Sequence, residues 1–403
     1  MNASSSIMAK AGKNTHLEHI EDEIINNGTD GGDKAIEILR YLGQFLSGKG
    51  GKQVAVTTKW DGAPAVICGT DPSDGQFFVG TKSVFAIDSK ICKTERDVDG
   101  FYSGALAAKL KAALSELKGC VKGVLQGDLM FTDDKSTEDI LGERFISFRP
   151  NTITYAVSPD SKLGREIDKA RLGIVFHTKY TGATLATMTA SFDVQETDYT
   201  LKPGVWIERA EFQDIGGVAT LTTAERQKFD AAVRRAEGSL KQTRGLLDKI
   251  QSGKKTRKID TEFKKFFNNY VKQGREIPSV DRAYTDFFNH LAKEYEKKIR
   301  PMKRLATQAD KAFAFVEAVE LITSNENAFK MIIASYMNIQ YCKNLLVDKM
   351  KKVSSLRLFV NMGTHYEATT PEGFVAISGR TAVKIIDRLE FSRLNFTVPK
   401  VWG

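Results

Sequence analysis

The residues best suited to chemistry in this chain are Lys59-Trp60-Asp61-Gly62, which lie between two strand-like runs at 53–58 and 63–68. A lysine amine at the end of a strand can attack the α-phosphate of a nucleotide and hold that nucleotide as a phosphoramide. The pKa of a free lysine is about 10.4, so this chemistry needs burial or neighbouring cations that lower the pKa. The motif therefore predicts a lysine nucleophile whose partners come from elsewhere in the chain.

Candidate partners follow in a fixed order along the sequence. Lys82 comes just after a hairpin that Asp74-Gly75 predicts, and Gly62 would let the backbone approach a nucleotide closely. Further lysines would hold phosphate oxygens as charge develops, and carboxylates would bind a ribose or a metal ion. The further candidates are Asp128 in Leu125-Gln-Gly-Asp-Leu129, Phe176 in Gly173-Ile-Val-Phe-His177, Glu372-Gly373-Phe374-Val375, and Lys384 in Ala382-Val-Lys-Ile385.

In type and order, these motifs resemble those of the covalent nucleotidyltransferases, which comprise ATP-dependent DNA and RNA ligases and mRNA capping enzymes. The form Glu372-Gly-Phe-Val-Ala376 is most similar to bacteriophage RNA ligases. The resemblance covers about residues 50–190 and 360–390 and leaves out the segment between them. It implies an α+β fold, with an antiparallel-sheet nucleotidyltransferase domain of the ATP-grasp-like ligase type.

The resemblance also implies a role for each residue. Lys59, Lys384 and Glu372 would be catalytic, with Lys59 forming the bond to AMP. ATP and Mg²⁺ are the implied cofactors, and Asp128 and Glu372 would hold the metal. Phe176 would stack on adenine, with Tyr155 as its substitute. The other implied nucleotide-binding residues are Asp61, Gly62, Lys82, Asp128, Gly373 and Arg388.

Several positions depart from the family pattern. Asp128 stands in place of the usual glutamate and is one methylene shorter. Lys82 replaces an arginine and loses the bidentate contact with phosphate. Ile386 replaces the second lysine of the final motif, and Arg388, two positions further on, is the expected substitute. Pro64 stands where DNA ligases carry an arginine, which favours an RNA ligase.

Structural roles compete with some of these assignments. Phe176 and Tyr155 suit the core of a sheet as well as a base-stacking position. Asp128 could begin a turn, and Lys82 could be a solvated hairpin lysine. His177 is expected to be a hydrogen-bonded strand histidine and not a catalyst.

Charge is unevenly distributed along the 403 residues. The net charge is +9, but residues 221–353 carry 28 Lys and Arg against 16 Asp and Glu, a net of +12 that leaves −3 for the remainder. Such a segment indicates a polyanionic partner, nucleic acid first and RNA before DNA, or alternatively a solvated helical surface. Within it, 254–258 could neutralise phosphates and the phenylalanines of 263–267 could stack on unpaired bases, although at least two of those three are expected in a helix core.

The pattern of apolar residues predicts an all-helical domain inserted into a β-rich one. Helical spacing begins at Thr222 and continues to about residue 352, with β-rich runs on both sides. Only 19 residues follow Lys384, so no C-terminal OB-fold is expected. The predicted division is a disordered leader at 1–15, N-terminal helices at 16–50 that break at 27–32, the first part of the nucleotidyltransferase domain at 51–220, the basic helical insertion at 221–355, and the final strands at 356–403.

Composition limits the cellular compartment and the kinds of site that are expected for the protein. Four scattered cysteines without a CxxC pair argue against a zinc site and fit a reducing cytoplasm, that of the host if the chain is phage-encoded. No apolar run reaches the length of a membrane span, so no membrane partner is expected. The oligomeric state stays open.

The leading hypothesis is an ATP-dependent polynucleotide ligase of the RNA ligase type. Lys59 would become adenylated, AMP would pass to a 5′-phosphate, and a 3′-hydroxyl would attack that activated end. Other acceptors stay open: nicked DNA, RNA capped with GTP, or another protein. A different class also stays open, namely a nucleic-acid-binding or virion-associated protein that keeps the fold without turnover, because Asp128 and Ile386 depart from the family pattern.

Overall fold

A computed structural model describes residues 18–47, 55–211, 219–252, 258–353, 356–378 and 381–389. The predicted leader at 1–15, most of the basic loop at 254–258 and the end of the predicted final strands lie outside the described residues. Ten strands and three α-helices lie within 55–209, helices fill 223–350, and strands return from 357. The described residues are thus mixed α and β in the order that the sequence predicts.

Helices occur at several places in the described residues, and the longest succession of them lies between residues 223 and 350. The helices are α1 Glu23–Phe45, α2 Glu95–Phe101, α3 Gly104–Glu116, α4 Lys162–Lys169, α5 Thr223–Ser252, α6 Ile259–Lys272, α7 Val280–Ile299, α8 Leu305–Thr323 and α9 Glu326–Met350. Helix α1 is interrupted at Gly28, where φ is +61°, so a helical break falls within the predicted 27–32. Glycine suits this position because a side chain makes positive φ unfavourable. No helix in the described ranges is long and apolar enough to cross a membrane.

The strands form three sheets, all antiparallel except for one parallel pair, β8 with β10. The strands are β1 Ala55–Lys59, β2 Ala65–Thr70, β3 Phe77–Gly80, β4 Val124–Phe131, β5 Lys135–Ile140, β6 Glu143–Phe148, β7 Ile153–Val157, β8 Leu172–Thr181, β9 Thr189–Ser191, β10 Val205–Arg209, β11 Arg357–Asn361, β12 Tyr366–Ala368, β13 Gly373–Ser378 and β14 Thr381–Ile385. Their order is β1-β13-β14 in the small sheet, β10-β8-β4-β2-β3 with β9 beside β8 in the large sheet, and β12-β11-β7-β6-β5 in the third.

The helical region lies inside the β-rich region in sequence. Strand β11, which follows the helices, pairs with β7, and β13 pairs with β1, the first strand of the chain. Helices α5 to α9 therefore leave and rejoin the same set of sheets, as the predicted insertion requires. Strand β5 is polar except for Ile140, which is buried, and it lies at the end of its sheet, where one side needs no partner.

The N-terminal helix belongs to the helical core. Apolar side chains of α1, α5, α6, α7 and α9 pack in one cluster, and the back of the small sheet joins it. Strand side chains alternate between faces, so every second residue of β1, β13 and β14 points at the helices. These residues are Val56, Phe374, Ala376, Val383 and Ile385. The opposite face of the small sheet carries Lys59 and Lys384, two of the residues predicted to be catalytic.

Candidate active site

Strand pairing brings Lys59 and Glu372 together although they are 313 positions apart in the chain. In the antiparallel pair of β1 and β13, Lys59 lies opposite Gly373. The Lys59 ammonium donates a hydrogen bond to Glu372 Oε2, and the two side chains form an ion pair. The predicted nucleophile and the predicted catalytic carboxylate are therefore neighbours.

Lys384 projects from the same face of the small sheet. It lies opposite Val375 in the β13–β14 pair, and Val375 in turn lies opposite Thr57. Since Thr57 and Lys59 are two residues apart on β1, their side chains share a face. The N–H of Lys384 donates to the carbonyl of Glu18 at 2.8 Å, which fixes the outer edge of β14.

The charges of this group act strongly on one another. Burial alone would lower the pKa of Lys59, but the charge and hydrogen bond of Glu372 outweigh burial and raise it. Burial raises the pKa of Glu372 even though Lys59 acts in the opposite direction. Burial, and then the charge of Lys59, lower the pKa of Lys384. Lys59 is therefore held as an ammonium ion in this arrangement.

Asp61 is fully engaged by the backbone that leads into β7. Its carboxylate accepts hydrogen bonds from Asn151 Nδ2 at 2.7 Å, from the N–H of Thr152 at 2.7 Å and from the N–H of Ile153 at 2.8 Å. Burial still raises the pKa of Asp61 above its ordinary value. These contacts tie the Lys59 loop to the third sheet, and binding of Asp61 to a nucleotide stays a prediction.

Gly62 is required by the close approach of β4. A Cβ atom on Gly62 would lie 2.5 Å from Cβ of Asp128 and 2.8 Å from Sδ of Met130, closer than such atoms come in proteins. The glycine thus lets the loop after Lys59 rest directly on Asp128. Gly373 is similar, because φ is +153° and a Cβ would lie 2.6 Å from the carbonyl oxygen of Ile385.

Asp128 and Phe176 lie on opposite faces of the large sheet. Asp128 is opposite Val175, whereas Gly127, its neighbour, is opposite Phe176. Phe176 is 0% exposed and packs in the cluster that α3 covers. This contradicts the prediction that Phe176 stacks on adenine, because its ring is buried on the face away from Asp128.

Tyr155, the predicted substitute, is also part of the interior. Its hydroxyl accepts a hydrogen bond from the N–H of Asp61 at 2.7 Å. Its ring stacks between Trp60, at 5.3 Å between centroids, and Phe148, at 5.5 Å. Both sides of the ring are covered, so Tyr155 as placed does not offer a free face to a base.

Arg388 points into the helices and away from the face of Lys59. It donates to Asp22 Oδ1 at 3.2 Å and to the Tyr336 hydroxyl at 3.1 Å, and it also donates to Asn268. Strand β14 ends at Ile385, so the alternation that was expected to carry Arg388 onto the face of Lys384 stops before it. The prediction that Arg388 binds the nucleotide is therefore contradicted.

Lys82 lies apart from this group. It is exposed in the 3₁₀ helix Lys82–Phe85, which follows β3 at the end of the large sheet. Among the contacts of the described residues, none joins Lys82 to Lys59, Glu372 or Asp128. Its role in phosphate binding stays a prediction.

The predicted stacking surface of the helical insertion is buried. Phe263, Phe266 and Phe267 are 3%, 5% and 1% exposed and belong to the helical core. The expectation that at least two of them are core residues is confirmed, and stacking on bases is contradicted. Lys264 and Lys265 beside them pair with Glu18 and Glu262.

Two carboxylates, Asp128 and Glu372, lie near Lys59, and both charges act on its pKa. Carboxylate oxygens are hard donors that suit Mg²⁺, which keeps several waters and takes phosphate oxygens as further ligands. The described residues contain no group of three or more His, Cys, Asp and Glu side chains placed to hold a metal. These carboxylates therefore suit a metal ion that binds together with a phosphate ligand. In the part of the chain that the structure describes, they do not form a site in which protein side chains supply all the metal ligands.

His177 lies at this site, although the sequence pointed to a structural histidine. Its Nε2 is 3.7 Å from Oδ1 of Asp128. In the pairing of β4 with β8, Gln126 lies opposite Thr178 and Gly127 lies opposite Phe176, which leaves His177 as an extra residue on β8. Such a β-bulge can redirect a side chain, and in the sequence His177 is the first polar residue after the apolar run Leu172–Phe176.

Sequence comparison places the chain among known families. Residues 14–400 match a family of unknown function, DUF6267. The chain belongs to this family. The match spans the β-rich parts and the helical insertion together, so the family unites both in one sequence unit. No curated protein and no solved structure matches the chain.

Proposed function

We propose that the protein is a covalent nucleotidyltransferase that takes AMP from ATP onto Lys59, and that it acts as an ATP-dependent ligase with RNA as the favoured substrate. The observation that carries this proposal is the grouping of Lys59, Glu372 and Lys384 on one face of the small sheet. These residues come from three separate motifs, and the motif order resembles that of RNA ligases.

In the proposed first step, the Lys59 amine attacks the α-phosphorus of ATP. A nitrogen–phosphorus bond forms, the bond from that phosphorus to the bridging oxygen breaks, and pyrophosphate leaves. The ammonium proton of Lys59 has to leave before attack. Glu372 contacts that ammonium, and burial raises the pKa of its carboxyl, so it is the group on which the proton can be placed.

Lys384 and the carboxylates divide the remaining work. As an ammonium ion, Lys384 would offset the negative charge that develops on the phosphate oxygens. Asp128 would hold Mg²⁺, which when bound supplies neutralisation of phosphate charge, while Glu372 carries the proton from Lys59. AMP would then pass from Lys59 to a 5′-phosphate, and attack by a 3′-hydroxyl would form the new phosphodiester and release AMP.

The acceptor is proposed to bind through the basic helices. Exposed cations remain near the turn between α7 and α8 after the ion pairs of Lys297 with Glu294 and Lys298 with Glu262 are counted. Such a patch suits phosphate contacts, whose strength falls with salt. The exposed cations are Lys293, Arg300, Lys303 and Arg304.

The test is transfer of label from ATP labelled at the α-phosphate to the protein in the presence of magnesium, read on a denaturing gel. Wild type should carry label, and Lys59→Ala and Lys59→Arg should not. The arginine variant retains a cation opposite Glu372, so its loss of label cannot be assigned to an unpaired carboxylate. Lys118→Ala, at an exposed lysine, serves as the control. A labelled Lys59→Arg protein would refute the assignment of the nucleophile.

A second candidate is a nucleic-acid-binding protein that keeps the fold without turnover. The observations that favour it are the burial of Phe176 and the hydrogen bond that holds Lys59 as an ammonium ion. This function predicts salt-sensitive RNA binding by wild type, no label from ATP or GTP, and unchanged RNA binding by Lys59→Arg. Labelling of wild type would remove this candidate.

A further inference from the structure

We propose that His177, together with Asp128, binds a ribose hydroxyl of the nucleotide and thereby sets the preference for a ribonucleotide; this inference rests on the proposed function. The bulge on β8 places His177 beside Thr178, on the face that Asp128 shares. The side chains of both His177 and Asp128 remain partly exposed, at 26% and 23%. The pair is therefore accessible from the site and is not sealed in the sheet.

The spacing of the pair allows one hydroxyl oxygen, lying beside both atoms, to contact each of them. His177 Nε2 and Asp128 Oδ1 are 3.7 Å apart, which is too long for a direct hydrogen bond. An oxygen placed about 2.8 Å from each atom would complete two hydrogen bonds at ordinary length. A hydroxyl suits this position because it accepts one hydrogen bond and donates another.

Thr178 supplies the proton arrangement that this requires. Its Oγ1 lies 2.7 Å from Nδ1 of His177. When the Thr178 hydroxyl donates to Nδ1, the imidazole proton lies on Nε2 and points toward Asp128. The ligand hydroxyl then accepts from Nε2–H and donates to the carboxylate. Every donor in this chain of hydrogen bonds has an acceptor.

The location next to the nucleophile identifies the hydroxyl as that of a ribose. The loop after Lys59 rests on Asp128 through Gly62, and the charge of Asp128 acts on the Lys59 ammonium. In a nucleoside triphosphate, the sugar is joined directly to the α-phosphate that Lys59 attacks. Asp128 is one methylene shorter than the glutamate of related enzymes, and His177 extends the polar surface across that missing length.

The experiment compares ATP, 2′-deoxyATP and 3′-deoxyATP as donors of label to the protein. For each donor, the rate constant of labelling is measured against nucleotide concentration for wild type, His177→Ala and His177→Gln. Wild type should prefer ATP over the analogue that lacks the bound hydroxyl. His177→Ala should reduce that preference by about tenfold, the effect of one lost hydrogen bond, and His177→Gln should restore part of it because its amide can donate.

The controls separate this inference from the proposed function. His365→Ala, at an exposed histidine beside Glu367, should behave as wild type. If wild type accepts label but His177→Ala slows all three nucleotides by the same factor, the role of His177 is refuted and the nucleotidyltransferase stands. If wild type accepts no label from any nucleotide, the proposed function itself is refuted.

Discussion

Replacing Asp61 with alanine should destabilise the β-rich part of the protein, because its carboxylate accepts three hydrogen bonds at the entry to β7. The N–H groups of Thr152 and Ile153 are buried and would lose their acceptor. An unsatisfied buried donor costs about 1–3 kcal/mol, so the two together cost roughly 2–6 kcal/mol. At about 2–4 °C per kcal/mol for a domain of this size, the unfolding midpoint should fall by roughly 10 °C.

The assay is thermal unfolding of wild type, Asp61→Ala, Asp61→Asn and the control Asp88→Ala, which removes an exposed aspartate. Asp61→Asn retains one acceptor oxygen for the two backbone N–H groups but presents an NH₂ group to Asn151 Nδ2, so it loses that hydrogen bond and the charge, and its midpoint should lie between those of wild type and Asp61→Ala. Equal midpoints for Asp61→Ala and wild type would refute the reasoning. An asparagine variant that melts below the alanine variant would also contradict it.

Three further predictions concern the buried residues. Phe176→Leu should lower the free energy of unfolding by roughly 0.5–3 kcal/mol and leave the KM for ATP in the labelling reaction unchanged; a raised KM would restore Phe176 as a nucleotide contact. Lys343→Met should lower the thermal midpoint because buried Glu21 loses its nearer cation and keeps Arg388 at 3.6 Å; the loss should be smaller than the about 3–5 kcal/mol of a buried charge left unpaired, and an unchanged midpoint would contradict this. Burial, and then nearby cations, lower the pKa of His19 well below its ordinary 6.5, so the unfolded chain binds a proton that the folded chain does not. Stability should therefore fall as the pH drops below about 6.5, and less steeply in His19→Gln, as equilibrium unfolding at several pH values would reveal.

The sequence predicted the meeting of Lys59 with Glu372 because strand-like runs surround both motifs and the motifs follow a known order. It could not predict which way the side chains of β8 point. The first half of that strand, Leu172–Phe176, is a continuous apolar run because both of its faces are covered, so alternation is absent from that part of the sequence. Ordinary alternation from Val175, which lies opposite Asp128, turns Phe176 to the other face.

Other errors came from extending a pattern past the end of its element. Arg388 was assigned to a strand face, but β14 ends at Ile385 and the chain turns toward the helices. Strand β5 carries a single apolar residue, Ile140, which is too little to mark a strand in the sequence, because an edge strand can be solvated. Local sequence patterns thus predict helices and strands. The direction in which a side chain points at a bulge, or beyond the end of a strand, depends instead on the strands and helices that pack against it.

The two faces of the small sheet have different roles, and this affects how truncated forms of the protein would behave. One face completes the interior of the helical bundle, and the other carries the lysines. A shortened chain that lacks 221–355 would expose Phe374, Val383 and Ile385 to water on the strands that hold Lys59 and Lys384. The bundle thus supports from behind the strands that carry the predicted nucleophile, and the proposed function should be mapped by point substitution in the intact chain, because truncation would remove that support along with the bundle.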